Sequence, residues 1–94
     1  MMYHDLKTDS HIFQAVYDGK KIFDVRKNDR DYQVGDELRL LEGDIGREDA
    51  VAFRLGEAAF KLTGRFIWVR VTYVLKGPMY GIPEGWVVMS IKKF

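Results

Sequence analysis

Cysteine is absent from this chain of 94 residues, and histidine occurs only twice. Without thiols the chain forms neither disulfides nor thiolate metal sites. His4 and His11 fall on different predicted elements and are too few for a three-histidine zinc site, so we predict structural or surface roles for both. The sequence therefore predicts no metal and no cofactor.

Long apolar runs are also missing, because no stretch approaches the ~20 residues needed to cross a bilayer. The first residues, Met-Met-Tyr-His-Asp, lack the basic start and apolar core of a signal peptide. We therefore expect a cytoplasmic protein without membrane contact. The 15 basic and 14 acidic residues leave a formal net charge of +1, so an overall positive field that binds DNA nonspecifically is not implied.

Proline occurs only at Pro78 and Pro83, and glycine marks most of the breaks between elements. No repeat, low-complexity tract or linker divides the chain. The length and the 47% hydrophobic content predict one globular domain, residues 1–94, with one core. A monomer is the default expectation.

Hydrophobic periodicity predicts one early helix and about five strands. Apolar residues at helical spacing after Thr8-Asp9-Ser10 predict a helix over 10–18, with Gly19 just beyond its end. Strands are expected at 3–7 (an edge strand), at 21–26, after the turn at 34–36, at 66–75 and at 86–91 (a central strand). Residues 43–64 are broken by glycines, and 50–62 fit either a short helix or an irregular hairpin.

Alternation within these strands predicts which side chains form the core. The expected members are Phe23, Val25, Leu38, Leu40, Val69, Val71, Val87 and Met89. Tyr73 and Trp86 are expected to pack there as well. With strands outnumbering helices, the predicted fold class is mixed α+β but mainly β, a small antiparallel or mixed barrel with an N-terminal helix beside a polar cleft.

Residues 19–26, Gly-Lys-Lys-Ile-Phe-Asp-Val-Arg, carry most of the polar chemistry. Asp24 and Arg26 fall on one face of the predicted strand, where they can hydrogen-bond or grip a ligand together. Lys21 stands at the strand entrance beside the helix end, where desolvation would free its amine as a nucleophile or base. The alternatives are a solvated lysine and a surface ion pair.

Positive charge is concentrated in the same region, since residues 20–30 contain five basic and two acidic residues. Lys27 and Arg30 extend this basic run beyond the strand. Tyr80, in a loop between glycines and prolines, is the best candidate for stacking on a nucleic-acid base. A solvated loop is the alternative for the basic run.

Segment 19–26 resembles the G-x-K-x-x-E-x-R signature of ASCH domains in the PUA-like superfamily, with matches at Gly19, Lys21 and Arg26 and with Asp24 in place of Glu. The continuation at 26–31, the Val-Gly-Asp turn at 34–36, Thr-Gly-Arg at 63–65 and the segments 71–75, 81–82 and 87–91 resemble a small bacterial and phage branch of that group. The resemblance covers nearly the whole chain. Residues 43–62 are the exception and look like a variable insert.

The resemblance implies a barrel with a cleft beside the helix that binds RNA or a nucleotide. Lys21 and Arg26 would contact phosphate or base, Asp24 would orient Arg26, and Lys27, Arg30 and Gly19 would complete the site. Some ASCH relatives are amidohydrolases of acylated nucleosides such as N4-acetylcytidine, which would make Lys21 the catalytic residue. In those enzymes a threonine occupies the position of Asp24. A protein-binding adaptor with an apolar patch within 50–62 is a third hypothesis.

Overall fold

Five strands and one short helix make up the computed structural model, which describes residues 2–44 and 61–94. In chain order they are β1 (Tyr3–Asp9), α1 (Ser10–Tyr17), β2 (Phe23–Lys27), β3 (Glu37–Asp44), β4 (Lys61–Lys76) and β5 (Trp86–Lys93). The prediction of a small, mainly β fold with an early helix is confirmed. The undecided segment 50–62 and the proposed adaptor patch fall largely outside the described residues. Within the described ranges, no helix is long and apolar enough to cross a membrane.

The strands form one sheet in the order β1-β3-β4-β5-β2, curled into a half-barrel. β1 pairs with β3 in parallel, and the other neighbours are antiparallel. β1 is therefore an edge strand and β5 lies between two neighbours, as predicted for both. The curl brings the two terminal strands, β1 and β2, close to each other across the open side of the sheet, which we call the seam.

Helix α1 packs its apolar stripe against β1 and β3. Phe13 and Val16 are buried against the sheet, as their spacing predicts. Gly19 has a φ of +76°, and the backbone amides of the next two residues donate to the carbonyl of Ala15. Glycine adopts this left-handed conformation without strain, so the predicted helix end is confirmed. Ser10 donates to the carboxylate of Asp44, which ties the helix start to β3.

The buried core lies on the inner face of the sheet, where alternate residues of four strands meet the helix. Six of the predicted core residues are buried there: Leu38, Leu40, Val69, Val71, Val87 and Met89. Leu6, Ile91 and Tyr32 complete the cluster together with the two helix residues. Burial of these apolar side chains is the main stabilising term of such a fold.

The face assignment of β2 was wrong. Phe23 and Val25 are 44% and 47% exposed, whereas Asp24 between them is only 4% exposed. A shift by one residue exchanges the two faces of a strand, so the apolar pair points outward and the carboxylate inward. The physical reason is that Asp24 has cationic partners inside, which apolarity alone does not reveal.

Two aromatic residues that were expected to pack in the core also lie outside it. The pairing of β4 with β5 shifts between Val71 and Tyr73, because one extra residue is inserted in β4. This β-bulge turns Tyr73 outward, and it is 61% exposed. Trp86 begins β5 on its outer side and is partly exposed. By contrast Tyr32 is buried, with its ring edge-on to His4.

Candidate functional site

The inward carboxylate of Asp24 lies between two cations. Arg26 Nε donates to one oxygen at 2.7 Å, and Lys21 Nζ approaches the other at 3.3 Å. We call these three residues the Asp24 cluster. Its cations are about four-fifths buried at the side chain, and its formal charge is +1. The structure thus brings together the three charged residues singled out in segment 19–26.

Arg26 connects this cluster to β1 on the other side of the seam. Its Nη1 donates to the carbonyl of Lys7 at 3.0 Å, and its Nη2 donates to the hydroxyl of Thr8 at 3.1 Å. Both acceptors belong to β1, whereas Arg26 belongs to β2. A guanidinium has five N–H donors in a rigid fork, so one side chain joins the two edge strands and keeps two donors for another group.

Lys21 is held by contacts that suit an ammonium ion. Besides Asp24, its Nζ donates to the carbonyl of Phe23 at 2.7 Å and lies 4.7 Å from the centre of the Phe23 ring. Oxygen acceptors and a ring face both stabilise the protonated amine. One donor of the ammonium remains for a further partner.

A cavity of about 600 Å³ opens along the seam, and we call it the seam groove. Its charged walls are Lys7, Arg26, Lys27, Arg30, Asp5 and Asp29. Its apolar walls are Leu6, Val25, Tyr32, Leu41 and Trp86. Four cations face two carboxylates, so the groove has a formal charge of +2 and an indole at its border.

The cations of the groove differ in how far they are already engaged. Arg30 Nη1 donates to the backbone carbonyl of Asp5 at 3.0 Å, which leaves most of the guanidinium donors available. Lys27 is exposed at the end of β2 and has no ion-pair or hydrogen-bond partner for its ammonium within the part of the chain that the structure describes. Lys27 and Arg30 are therefore the cations best placed to meet an anion in solution.

The signature residues also line two smaller cavities, and Gly19, Lys21 and Asp24 line only these. Gly19 and Lys21 border a cavity of about 140 Å³ at the end of α1. Asp24 and Arg26 border a second one, of about 200 Å³, beside the start of α1. The cleft expected from the sequence is thus divided, and Arg26 is the member of the Asp24 cluster that reaches the seam groove.

Tyr80 lies away from the groove. It projects from the β4–β5 connection, is 89% exposed and has a φ of +50° in a turn closed by Met79 and Ile82. It lines neither the seam groove nor the two smaller cavities. Tyr32 and Trp86 are the aromatic residues that line the groove, and of the two only Trp86 is exposed.

A second buried carboxylate is that of Asp36, for which the sequence predicts only a place in the turn at 34–36. It accepts hydrogen bonds from the backbone amides of Met2 and Gln33 and from His4, at 3.0–3.1 Å. Burial alone would raise the pKa of Asp36, but these hydrogen bonds outweigh it and lower the pKa below its ordinary 3.8. We call these four residues the Asp36 cluster, and the structural role expected for His4 is found within it. His11, in contrast, is exposed on α1.

A third buried carboxylate, Glu42, connects β3 to β4. It accepts a hydrogen bond from Thr63 at 2.7 Å and lies 3.7 Å from the Arg65 guanidinium. Arg65 also lies over the rings of Phe13 and Tyr17 on α1. The Thr-Gly-Arg segment therefore fastens the helix to the sheet. Across the described residues, no group of three or more histidine or acidic side chains is placed to hold a metal ion.

Comparison with known proteins identifies the family of the chain. No curated protein matches the chain. One family model does match, over residues 3–91, and its description is a domain of unknown function, DUF3850. The matched range includes the helix, strands β1 to β4, most of β5, the Asp24 cluster and the seam groove. The chain therefore belongs to the DUF3850 family.

Proposed function

We propose that this chain is a binding module for RNA or for a nucleotide, with the seam groove as its site. The observation that carries the proposal is the groove itself, a cavity of about 600 Å³ with four cations and a bordering indole. Cavities of ~300–1,000 Å³ hold small organic ligands, so a nucleotide fits by size. The ASCH resemblance of residues 19–26 supports the same class of ligand.

The groove offers different partners to the two halves of a nucleotide. Lys27 and Arg30 present donors to a phosphate, and Arg26 has two donors left after it has bridged the seam. Val25 and Trp86 form an apolar wall against which a base can stack. Asp24 contributes indirectly, because its hydrogen bond fixes the plane of the Arg26 guanidinium.

The contacts of Lys21 favour this binding role over an amidohydrolase. Nucleophilic attack needs a neutral amine, whereas Lys21 contacts a carboxylate, a carbonyl and a ring face, all of which favour the ammonium ion. We therefore expect no release of cytidine from N4-acetylcytidine, compared with Lys21→Ala as a blank. Turnover that is lost in Lys21→Ala and in Lys21→Arg would instead establish the enzyme.

Binding in the groove is tested with a short labelled single-stranded RNA over a series of salt concentrations. Each lost phosphate contact lowers the slope of log affinity against log salt by about 0.7 for a single strand. Lys27→Ala with Arg30→Ala should therefore lower the slope by up to about 1.4 and weaken binding at low salt. Fluorescence anisotropy measures both quantities.

Lys20→Ala is the matched control, because Lys20 is exposed in the same basic run but does not line the groove. It removes one positive charge, as each of the two groove substitutions does when made singly, and it should leave affinity and slope nearly unchanged. If wild-type protein does not bind RNA at low ionic strength, or if Lys20→Ala weakens binding as much as the groove variants do, the proposal is wrong.

A further inference from the structure

The outer face of the sheet carries exposed aromatic rings beside the seam groove. Tyr3 on β1 and Phe66 on β4 are at least half exposed, and so is Phe94 just beyond β5. Trp68, also on β4, is partly exposed between them. Strand pairing places these residues on the side opposite the core, since their neighbours in β4 and β1 point inward. We call this surface the aromatic face.

The rings form a connected series with arginine side chains. Tyr3 and Trp68 have centroids 5.4 Å apart, and Arg39 lies 5.6 Å from the Trp68 ring and 5.5 Å from the Phe66 ring. Arg70 lies 4.9 Å from the ring of Phe94. The Arg39 guanidinium therefore links two of these rings, Tyr3 contacts one of the two, and Phe94 has an arginine of its own.

Arg39 is fixed in place by a carboxylate. Its Nε and Nη2 donate to the two oxygens of Asp5 at 2.7 and 2.8 Å, a bidentate pair that defines the plane of the guanidinium. The rings on either side of Arg39 are thereby ordered before any partner arrives. A preordered surface loses less conformational entropy on binding than a mobile one.

The charge of this face points to an anionic partner. Lys7, Arg39, Arg70 and Lys92 lie on it, against Asp5, Asp9 and Glu37, so four positive charges minus three negative charges leave +1. Asp5, Lys7 and Leu41 also line the seam groove, so the two surfaces share a border. One extended ligand can therefore contact both.

We propose that the aromatic face is a stacking platform for single-stranded nucleic acid. A single strand supplies both features that the surface complements, namely flat unpaired bases for the rings and phosphates for the cations. A protein partner with an apolar surface would leave the excess positive charge of this face uncompensated. The aromatic face shares a border with the groove, but the inference does not require a ligand in the groove.

The two tryptophans of the chain allow the two surfaces to be observed separately. Trp68 belongs to the aromatic face, and Trp86 borders the seam groove. Trp86→Phe leaves Trp68 as the single indole, and Trp68→Phe leaves Trp86. In Trp86→Phe protein we expect saturable quenching of fluorescence by a short single-stranded RNA. Duplex RNA of the same sequence has no unpaired bases, and heparin is a polyanion without any bases. Neither should therefore quench the fluorescence of Trp68.

Phe66→Leu, made in the Trp86→Phe protein, tests the stacking directly. Losing one stacked base corresponds to ~1 kcal/mol or more, which is at least about a fivefold weaker affinity for single-stranded RNA. Phe66 is half exposed, so the variant should fold. Tyr73→Leu is the matched control, because it removes an exposed ring that contacts none of the rings of the aromatic face, and it should leave the affinity unchanged.

The outcomes separate this inference from the proposed function. If single-stranded RNA does not quench the fluorescence of Trp68, the proposed stacking platform is wrong. This holds even when the fluorescence of Trp86 responds in the Trp68→Phe protein. Equal quenching by duplex RNA or heparin would mean charge attraction without stacking, which also overturns it. A Trp68 signal that changes with protein concentration alone would mean that a second copy of the chain covers the face.

Discussion

Asp24 and Asp36 are buried almost equally, with 4% and 2% of their surfaces exposed, but they have different partners. Asp24 binds two cationic side chains that border cavities. Asp36 binds two backbone amides and the buried His4. The first carboxylate positions groups that can still meet a ligand, whereas the second fixes the path of the chain itself.

The comparison shows that the partners of a buried charge, and not its burial, indicate its role. A carboxylate that accepts backbone amides cannot be removed without leaving those amides unpaired inside the protein. A carboxylate that accepts cations at a cavity leaves side chains that water can still reach. We therefore expect the two aspartates to differ in their effects on stability.

A buried carboxylate without any donor is the limiting case of this comparison, and Val71→Asp creates one. Val71 lies in the core of β4 with 1% of its surface exposed. An unpaired charge there should lower the free energy of unfolding by more than about 4 kcal/mol or prevent folding altogether. Thermal and urea unfolding measure the loss. Thr72→Asp, at the exposed neighbouring position, should cost less than about 1 kcal/mol.

Asp36→Ala comes next in expected size. It leaves the partly buried amides of Met2 and Gln33 and the buried ring of His4 without their acceptor, and each donor left unpaired costs about 1 kcal/mol. We expect a loss of about 3 kcal/mol in the free energy of unfolding, measured with urea. Asp29→Ala, at an exposed position, is the control and should change stability by less than about 0.5 kcal/mol. Equal effects of the two substitutions would contradict the role assigned to Asp36.

Alternation predicted the core wherever one strand face is apolar and the other polar. Leu38 and Leu40 alternate with the charged Glu37 and Arg39, so their orientation follows from the sequence, and the structure confirms it. In β2 the rule failed, because Phe23 and Val25 are the apolar pair and still point outward. Tertiary contacts decided that strand, since the inward Asp24 pairs with Lys21 and Arg26.

The seam could not be predicted from local patterns. Arg26 donates to Lys7 and Thr8, which lie 19 and 18 positions away in sequence, and only the curl of the sheet brings them together. The outward orientation of the Tyr73 side chain likewise depends on one inserted residue in β4. No glycine, proline or asparagine in the sequence marks that bulge. The sequence thus identified the charged residues of segment 19–26, but not the groove that one of them borders.

The pH dependence of stability provides a third test. Its expected effect on the free energy of unfolding is smaller than that of removing the whole side chain. Hydrogen bonds lower the pKa of Asp36 despite the opposing effect of burial. A carboxyl whose pKa is depressed on folding stabilises the protein above its unfolded pKa of about 3.9, and this contribution is lost as the pH falls through the folded value. Asp36→Asn should therefore flatten the acid limb of stability below about pH 4. Chemical unfolding at a series of acid pH values measures this limb, and an unchanged limb would contradict the assignment.

The smallest expected effect on stability belongs to Asp24→Asn. Lys21 and Arg26 each retain another oxygen acceptor, the carbonyls of Phe23 and Lys7, and their side chains are about one-fifth exposed, so water reaches the uncompensated charge. We expect a loss of about 1 kcal/mol in the free energy of unfolding. The clearer signal should be the Nε proton of Arg26, which donates to Asp24 at 2.7 Å. In ¹⁵N-edited NMR spectra at neutral pH its resonance should shift and its exchange with water should accelerate in the variant. Arg39 is the internal control, because its Nε donates to Asp5 at the same distance and should be unaffected. If Asp24→Asn destabilises the protein as much as Asp36→Ala does, Asp24 is a structural residue like Asp36, and its proposed role in aiming Arg26 at the seam groove is wrong.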